Sequence, residues 1–340
     1  MRKFSVLIAI LLLFVLVFSA VSAQDVGPIV QRILDRGEMI CGGNANLVGF
    51  GSVNDAGEYE GFDIDICRAV AAAILGDANA ISVRPLAGGD RQVAIQSEEV
   101  DMMSRNTTVT LSRDTEWGAI FAPVTFYDGQ GVGTRVELGV SSIAELDGSS
   151  MCVQSGTTTE LDITTYFQAN GLDIELKVFP DATATWEAYV SGACESWTTD
   201  KSGLASYHVT AENPSEHMIL PETISKQPLA PLSPQSDPQF AEIIAWTVWG
   251  MIEAEEQGIT SENIDEFLTS ENPAIQRLLG LNNNVTGEHL GIANDFMVTV
   301  IRQVGNYGEV FDRNLTPLGL PRGLNALWTD GGLMYAPPFS

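Results

Sequence analysis

The sequence predicts an α/β protein of two lobes with a cleft between them, on three observations. Short apolar strand segments alternate with helix-forming segments from Met39 onward, the pattern of parallel α/β sheets. That alternation restarts near Gly131 as a second βα series. A stretch carrying six prolines, Pro214–Pro238, then leads back to a final set of helices.

Each element has a local cause. Residues 24–37 place Ile29, Ile33 and Leu34 on one stripe, and Gly37 stops that helix. Met39–Cys41 is a short strand, followed by a glycine-rich loop over Gly42–Gly51. Ala56–Phe62 reads as a turn plus strand. Asp63–Leu75 is a helix supported by Ala69, Ala71, Ala72 and Ala73. Strands follow at Ile81–Leu86, Val100–Met103 and Ile120–Ala122, with a short helix at Arg91–Glu98. Gly129-Gln130-Gly131-Val132-Gly133 lacks the glycine spacing of a dinucleotide loop and reads as a crossover hinge. The second series runs strand Ser150–Val153, helix Thr159–Asn170, strand Leu176–Phe179, helix Thr183–Ser191, strand Glu195–Thr199 and helix Ser202–Val209. The proline-rich return is expected to hold one embedded strand. Pro238–Glu256 is a strong helix, with further helices near 263–280 and 285–310.

Composition narrows the function classes. The 340 residues include 44 acidic against 17 basic ones, a formal charge of −27, which argues against nucleic acid because phosphate binding needs clustered Lys and Arg. The N-terminus reads as a cleavable export signal over residues 1–23. Arg2 and Lys3 precede an apolar run, Val6–Phe18, and Val21-Ser22-Ala23 supplies small residues at a cleavage point. Export makes the four cysteines, Cys41, Cys67, Cys152 and Cys194, a candidate pair of structural disulfides. Three pairings are open, and spacing groups them as 41/67 and 152/194. With no Cys-x-x-Cys and three scattered histidines, no metal site and no cofactor are expected.

Open α/β sheets bind ligands outside the carboxyl ends of their strands. Three loops lie there. Thr157-x-x-Glu160 fits a capping box at a helix start that offers N–H groups and a favourable dipole to an anion, beside small Gly156. Arg113 supplies a planar fork for a carboxylate, with Thr108 and Thr110 hydroxyls and the Asn106 carbonyl nearby. Asp200 sits just past a strand and suits an ammonium. The plainer readings are an ordinary capped helix, an Arg113 paired with Asp114 or Glu116 at the surface, and an Asp200 that caps the next helix. Taken together, a carboxylate fork plus an ammonium acceptor is what a zwitterionic α-amino acid requires. Leu47, Phe50 and Phe62 are apolar candidates to pack on its carbons. No Gly-x-Ser-x-Gly elbow, His-Glu-x-x-His or phosphate loop competes, so no catalytic residue is expected.

Four motifs carry a family resemblance: GFDIDICRAVAAA (Gly61–Ala73), SRNTTVTLSRDTEWG (Ser104–Gly118), CVQSGTTTEL (Cys152–Leu161) and WTTDKSGL (Trp197–Leu204). With them the chain resembles the periplasmic polar-amino-acid-binding proteins of ABC importers, solute-binding family 3, in its general L-amino-acid-binding subgroup. The resemblance implies a periplasmic-binding-protein type II fold with two hinge crossovers. Lobe 1 would take residues 24–128 and 229–340, and lobe 2 residues 129–228, with each cysteine pair inside one lobe. It implies that Arg113 grips the α-carboxylate, helped by Thr108 and by backbone N–H groups near Thr157 and Thr158. Asp200 would bind the α-ammonium beside the Asn106 carbonyl, and Asn44, Leu47, Phe62 and Gln154 would face the ligand side chain. Where many relatives carry an aromatic residue this chain has Leu47, where they carry a small residue it has Arg105, and where a basic residue is frequent it has Ser155, departures that fit broad selectivity. The implied partners are an L-amino acid and the membrane permease of an ABC importer, with a monomeric receptor in the periplasm. The rivals are an exported dehydratase of the prephenate or arogenate type on the same fold, and a chemosensory binding protein.

Overall fold

A computed structural model describes residues 26–340. The predicted export signal, residues 1–23, lies outside them. The chain begins with α1 (Pro28–Arg36), whose entry proline has a preset φ suited to a first turn. Next come β1 (Met39–Gly43), β2 (Asn46–Leu47), β3 (Gly51–Val53), β4 (Tyr59–Glu60) and α2 (Phe62–Leu75). Then follow β5 (Ile81–Pro85), α3 (Arg91–Gln96), β6 (Met102–Met103), α4 (Leu111–Glu116) and β7 (Ala119–Phe121). The predicted loop over Gly42–Gly51 therefore contains β2 and the start of β3, which with β4 make a small antiparallel sheet.

The long strand β8 (Phe126–Arg135) leaves this half. The second half contains β9 (Ser149–Gln154), α5 (Thr158–Asn170), β10 (Ile174–Phe179), α6 (Ala182–Val190), β11 (Ser196–Asp200), α7 (Lys201–Thr210) and β12 (His217–Ile219). The chain returns through β13 (Lys226–Leu229) and β14 (Leu232–Pro234). The proline-rich stretch thus holds three strands rather than one. Pro214, Pro221, Pro231 and Pro238 lie outside them, Pro228 lies within β13, and Pro234 is the last residue of β14.

Beside that small sheet, two larger ones result. The first has the order β5-β1-β6-β14-β7, and the second β10-β9-β11-β8-β12, with β13 also paired to β8. Strand β8 pairs with β13 over Phe126–Gly129 and with β11 over Gln130–Thr134. The expected hinge at Gly129–Gly133 lies within one continuous strand, at the point where its partner changes from β13 to β11. Its glycines make room: a Cβ at Gly133 would lie 2.4 Å from the Trp197 indole nitrogen, and one at Gly131 2.9 Å from the Lys201 stem.

The C-terminal helices cover the first sheet. After α8 (Pro238–Glu256) come α9 (Ile264–Phe267), α10 (Pro273–Leu278), α11 (Phe296–Gln303) and α12 (Tyr307–Asn314). The two longer helices expected over 263–280 and 285–310 are broken. Pro273 starts a new helix, and Gly305 in the left-handed region (φ 98°) precedes a capping box of Asn306 and Glu309. Phe62, Phe126, Tyr307 and Phe311 join α2, β8 and α12 in one aromatic cluster, with centroids 5.8–6.4 Å apart. Cys41–Cys67 bonds β1 to α2, and Cys152–Cys194 bonds β9 to the turn before β11. No helix among the described residues is long and apolar enough to cross a membrane.

Candidate ligand cleft

The site forms where loops at the carboxyl ends of the two sheets face each other. On the first side, the loop after β6 is pinned by Asp63 at the start of α2. Asp63 accepts from the Asn106 N–H at 2.7 Å and the Ser104 hydroxyl at 3.1 Å. Asn106 adopts a left-handed φ of 31°, a strained conformation that its neighbours must hold in place. Burial pushes the Asp63 carboxyl up to about 6, opposed by those two donors and by Arg105.

Three guanidinium groups are buried here, those of Arg91, Arg105 and Arg113. Arg113 donates to the Thr108 carbonyl at 2.9 Å and lies 5.1 Å from the Trp117 ring centroid. Arg91 shares that ring at 5.9 Å, donates to the Gly88 carbonyl at 2.9 Å and reaches the Gly156 carbonyl across the cleft at 3.5 Å. Arg105 donates to the Leu86 carbonyl at 2.9 Å and to Asn106 Oδ1 at 3.1 Å. None of the three makes an ion pair among the described residues. Burial lowers the pKa of each, that of Arg105 to about 10, so a counter-charge entering the cleft is strongly favoured. The expected alternative, Arg113 paired at the surface with Asp114 or Glu116, does not occur.

On the second side, Thr157 caps α5 by accepting from the Glu160 N–H at 3.2 Å. The Glu160 carboxylate accepts from the Gly156 N–H at 2.9 Å, so that donor is spent within the loop. Asp200 stands at the N-terminus of α7 but its side chain does not cap the helix. The Ser202 N–H donates instead to Asp128 Oδ2 at 3.2 Å, from the neighbouring strand β8. That substitution leaves the Asp200 carboxylate for the cleft. Burial, reinforced by Asp128, pushes the Asp200 carboxyl up to about 8, while Arg91 and Arg113 oppose the shift.

The cleft divides into two chambers. A small polar one of about 30 Å³ brings together Arg91, Arg113, Thr108, Thr157, Thr158 and Asp200. A larger one of about 250 Å³ is lined by Asn44, Leu47, Leu86, Thr183 and Tyr207. Arg105, Asn106 and Gln154 border both. Asn44 donates to Asn106 Oδ1 at 2.8 Å, and Gln154 Nε2 is buried with no protein partner.

Phe62 is the exception among the predicted contacts. It is fully buried in the aromatic cluster, lines neither chamber and serves as core; Phe50 shares that fate. Arg91 and Asp128 were missed. Arg91 follows the Gly88–Asp90 turn after β5, so the strand-end rule that found the other loops also covers it. Nothing in the sequence around Asp128 signals a cap supplied to a helix more than seventy residues later.

Two α/β halves joined by a paired strand crossover, with a buried polar cleft between them, define a two-lobed binding protein. The family model of bacterial extracellular solute-binding proteins, family 3, matches residues 39–258, and the chain belongs to that family. It is 48% identical over 307 residues to the general L-amino acid-binding periplasmic protein AapJ of Rhizobium johnstonii, covering 89% of this chain and 90% of that one. It is 47% identical over 308 residues to the glutamate/glutamine/aspartate/asparagine-binding protein BztA of Rhodobacter capsulatus, covering 89% and 91%. Among solved structures, a periplasmic binding protein from Brucella ovis with glutathione bound matches with a TM-score of 0.89 and 44% identity, over 92% of this chain and 99% of that one.

Proposed function

We propose that this chain is a periplasmic receptor that binds L-amino acids in the cleft, as a monomer, and hands them to the membrane permease of an ABC importer. The observation that carries the reading is the pair of opposed groups in the small chamber. Arg113 is buried without a counter-ion, and Asp200 is released from capping duty by Asp128. Arg113, with Arg91 beside it, takes the α-carboxylate together with N–H groups at Thr157 and Thr158. Asp200 takes the α-ammonium. Asn44, Leu47 and Gln154 meet the side chain in the larger chamber, with Arg105 and Asn106 between the two.

The lobes are residues 24–128 with 229–340, and 129–228. The paired strands β8 and β13 connect them and serve as the hinge. Closure on the ligand shifts the population toward the form the permease recognises, and no bond is made or broken. The names of the two relatives support this reading over a dehydratase on the same fold. The glutathione-bound neighbour supports room for ligands longer than a single amino acid.

A melting-temperature screen tests it, because a ligand that binds only the folded state raises stability by mass action. L-amino acids are expected to raise the melting temperature, and prephenate is expected to remain unconverted. No shift with any amino acid, or turnover of prephenate, overturns the reading.

A further inference from the structure

The Gln227 side chain is fully buried in the return strand β13 and borders neither chamber. Its amide is nevertheless fully engaged. Oε1 accepts from Thr108 Oγ1 at 2.6 Å and from Thr158 Oγ1 at 2.8 Å. Nε2 donates to Asp162 Oδ2 at 3.0 Å and to Ser225 Oγ at 2.9 Å. Thr108 belongs to the loop after β6 and Thr158 to the start of α5, so one side chain ties both walls of the cleft to the crossover strand.

The amide orientation has a chemical consequence. A carboxylate only accepts hydrogen bonds, so Asp162 keeps Nε2 toward itself and Oε1 toward the two threonines. A hydroxyl has one proton to give, and both threonines give theirs to Oε1. What they turn to the small chamber is therefore lone pairs. We infer that Gln227, held by Asp162, is a positioning residue that makes Thr108 and Thr158 acceptors, so that these hydroxyls read the ligand's ammonium and not its carboxylate. The inference rests on the amino-acid reading of the cleft. It reassigns the Thr108 hydroxyl, which the family resemblance had given to the carboxylate.

Calorimetric titration with L-glutamate and with its desamino counterpart, glutarate, tests this. The readout is the ratio of their dissociation constants, which a loss of general packing leaves unmoved. Gln227→Met frees both hydroxyl protons, and the preference for glutamate is expected to fall about tenfold. Asp162→Ala, at a half-buried helix position, frees the amide to turn over and is expected to narrow the ratio in the same direction. Asp162→Asn offers both an acceptor and a donor, so it should narrow the ratio less than Asp162→Ala does. An unchanged ratio in Asp162→Ala, or in a folded Gln227→Met, overturns the inference. Failure of the wild type to bind any L-amino acid would instead count against the function proposed above.

Discussion

The hydroxyl oxygens of Thr108 and Thr158, on opposite walls of the cleft, lie 3.4 Å apart. A second contact joins the two halves further out, where the Ser206 hydroxyl of α7 donates to the Val48 carbonyl at 2.9 Å. Together with Arg91 on Gly156, these contacts make this a closed arrangement.

A closed cleft with buried, unpaired guanidinium groups is costly without a ligand, so ligand-stripped protein is expected to open about the β8–β13 ribbon. Small-angle scattering should show a larger radius of gyration for stripped protein and a decrease when ligand is added. An unchanged radius would contradict hinge closure.

Arg113→Met should move affinity and stability in opposite directions. Removing the fork takes the main charged partner from the buried ligand carboxylate, a loss of ~3 kcal/mol or more, about a hundredfold in affinity. The ligand-free protein should keep or raise its melting temperature, because a buried unpaired cation has gone. Calorimetry and thermal melts on the same samples check both signs.

The raised pKa of Asp200 gives a pH dependence. Its value in the closed arrangement, about 8, lies above the ordinary carboxylate value of 3.8, so the closed ligand-free form favours the protonated acid. That contribution to ligand-free stability is present at low pH and is lost as pH rises from the ordinary carboxylate range toward 8. An ammonium placed against Asp200 pulls the pKa down, so binding releases a proton. Affinity should therefore rise with pH up to about 8, by at most about tenfold per unit, and Asp200→Asn should flatten the slope. Titrations in buffers of different ionisation enthalpy count the released proton.

Phe62 separates core from cleft. Phe62→Ala removes a fully buried ring and should cost ~3–5 kcal/mol of stability, read by denaturant unfolding, while leaving ligand selectivity unchanged. The disulfides act on the same axis. Chain-entropy reasoning assigns ~3–4 kcal/mol to each loop, with cysteines 26 and 42 residues apart, so reduction should lower the melting temperature.

The legible part of the molecule was the part set by local pattern. The helix read over Asp63–Leu75 appears as Phe62–Leu75, because an alanine-rich stretch between Gly61 and Gly76 has few alternatives. Arg113, Thr157 and Asp200 stood out because each follows a strand. Asp128, Gln227 and the sharing of Trp117 by two arginines were not legible, because each depends on where distant segments meet. Phe62 was misread for the same reason: an apolar residue beside a candidate loop can face core or cleft, and only packing against Phe126 and Tyr307 decides. The broken C-terminal helices show the reverse failure, since Pro273 and Gly305 carried a local signal that was given too little weight.

The central claim is that the cleft takes an L-α-amino acid by its head group. The most direct measurement is isothermal titration of ligand-stripped protein with each L-amino acid and its D-enantiomer. Saturable one-to-one binding of several L-amino acids, weaker for the D-forms and lost in Arg113→Met, is the predicted result. No binding of any L-amino acid, or binding indifferent to Arg113, would contradict it.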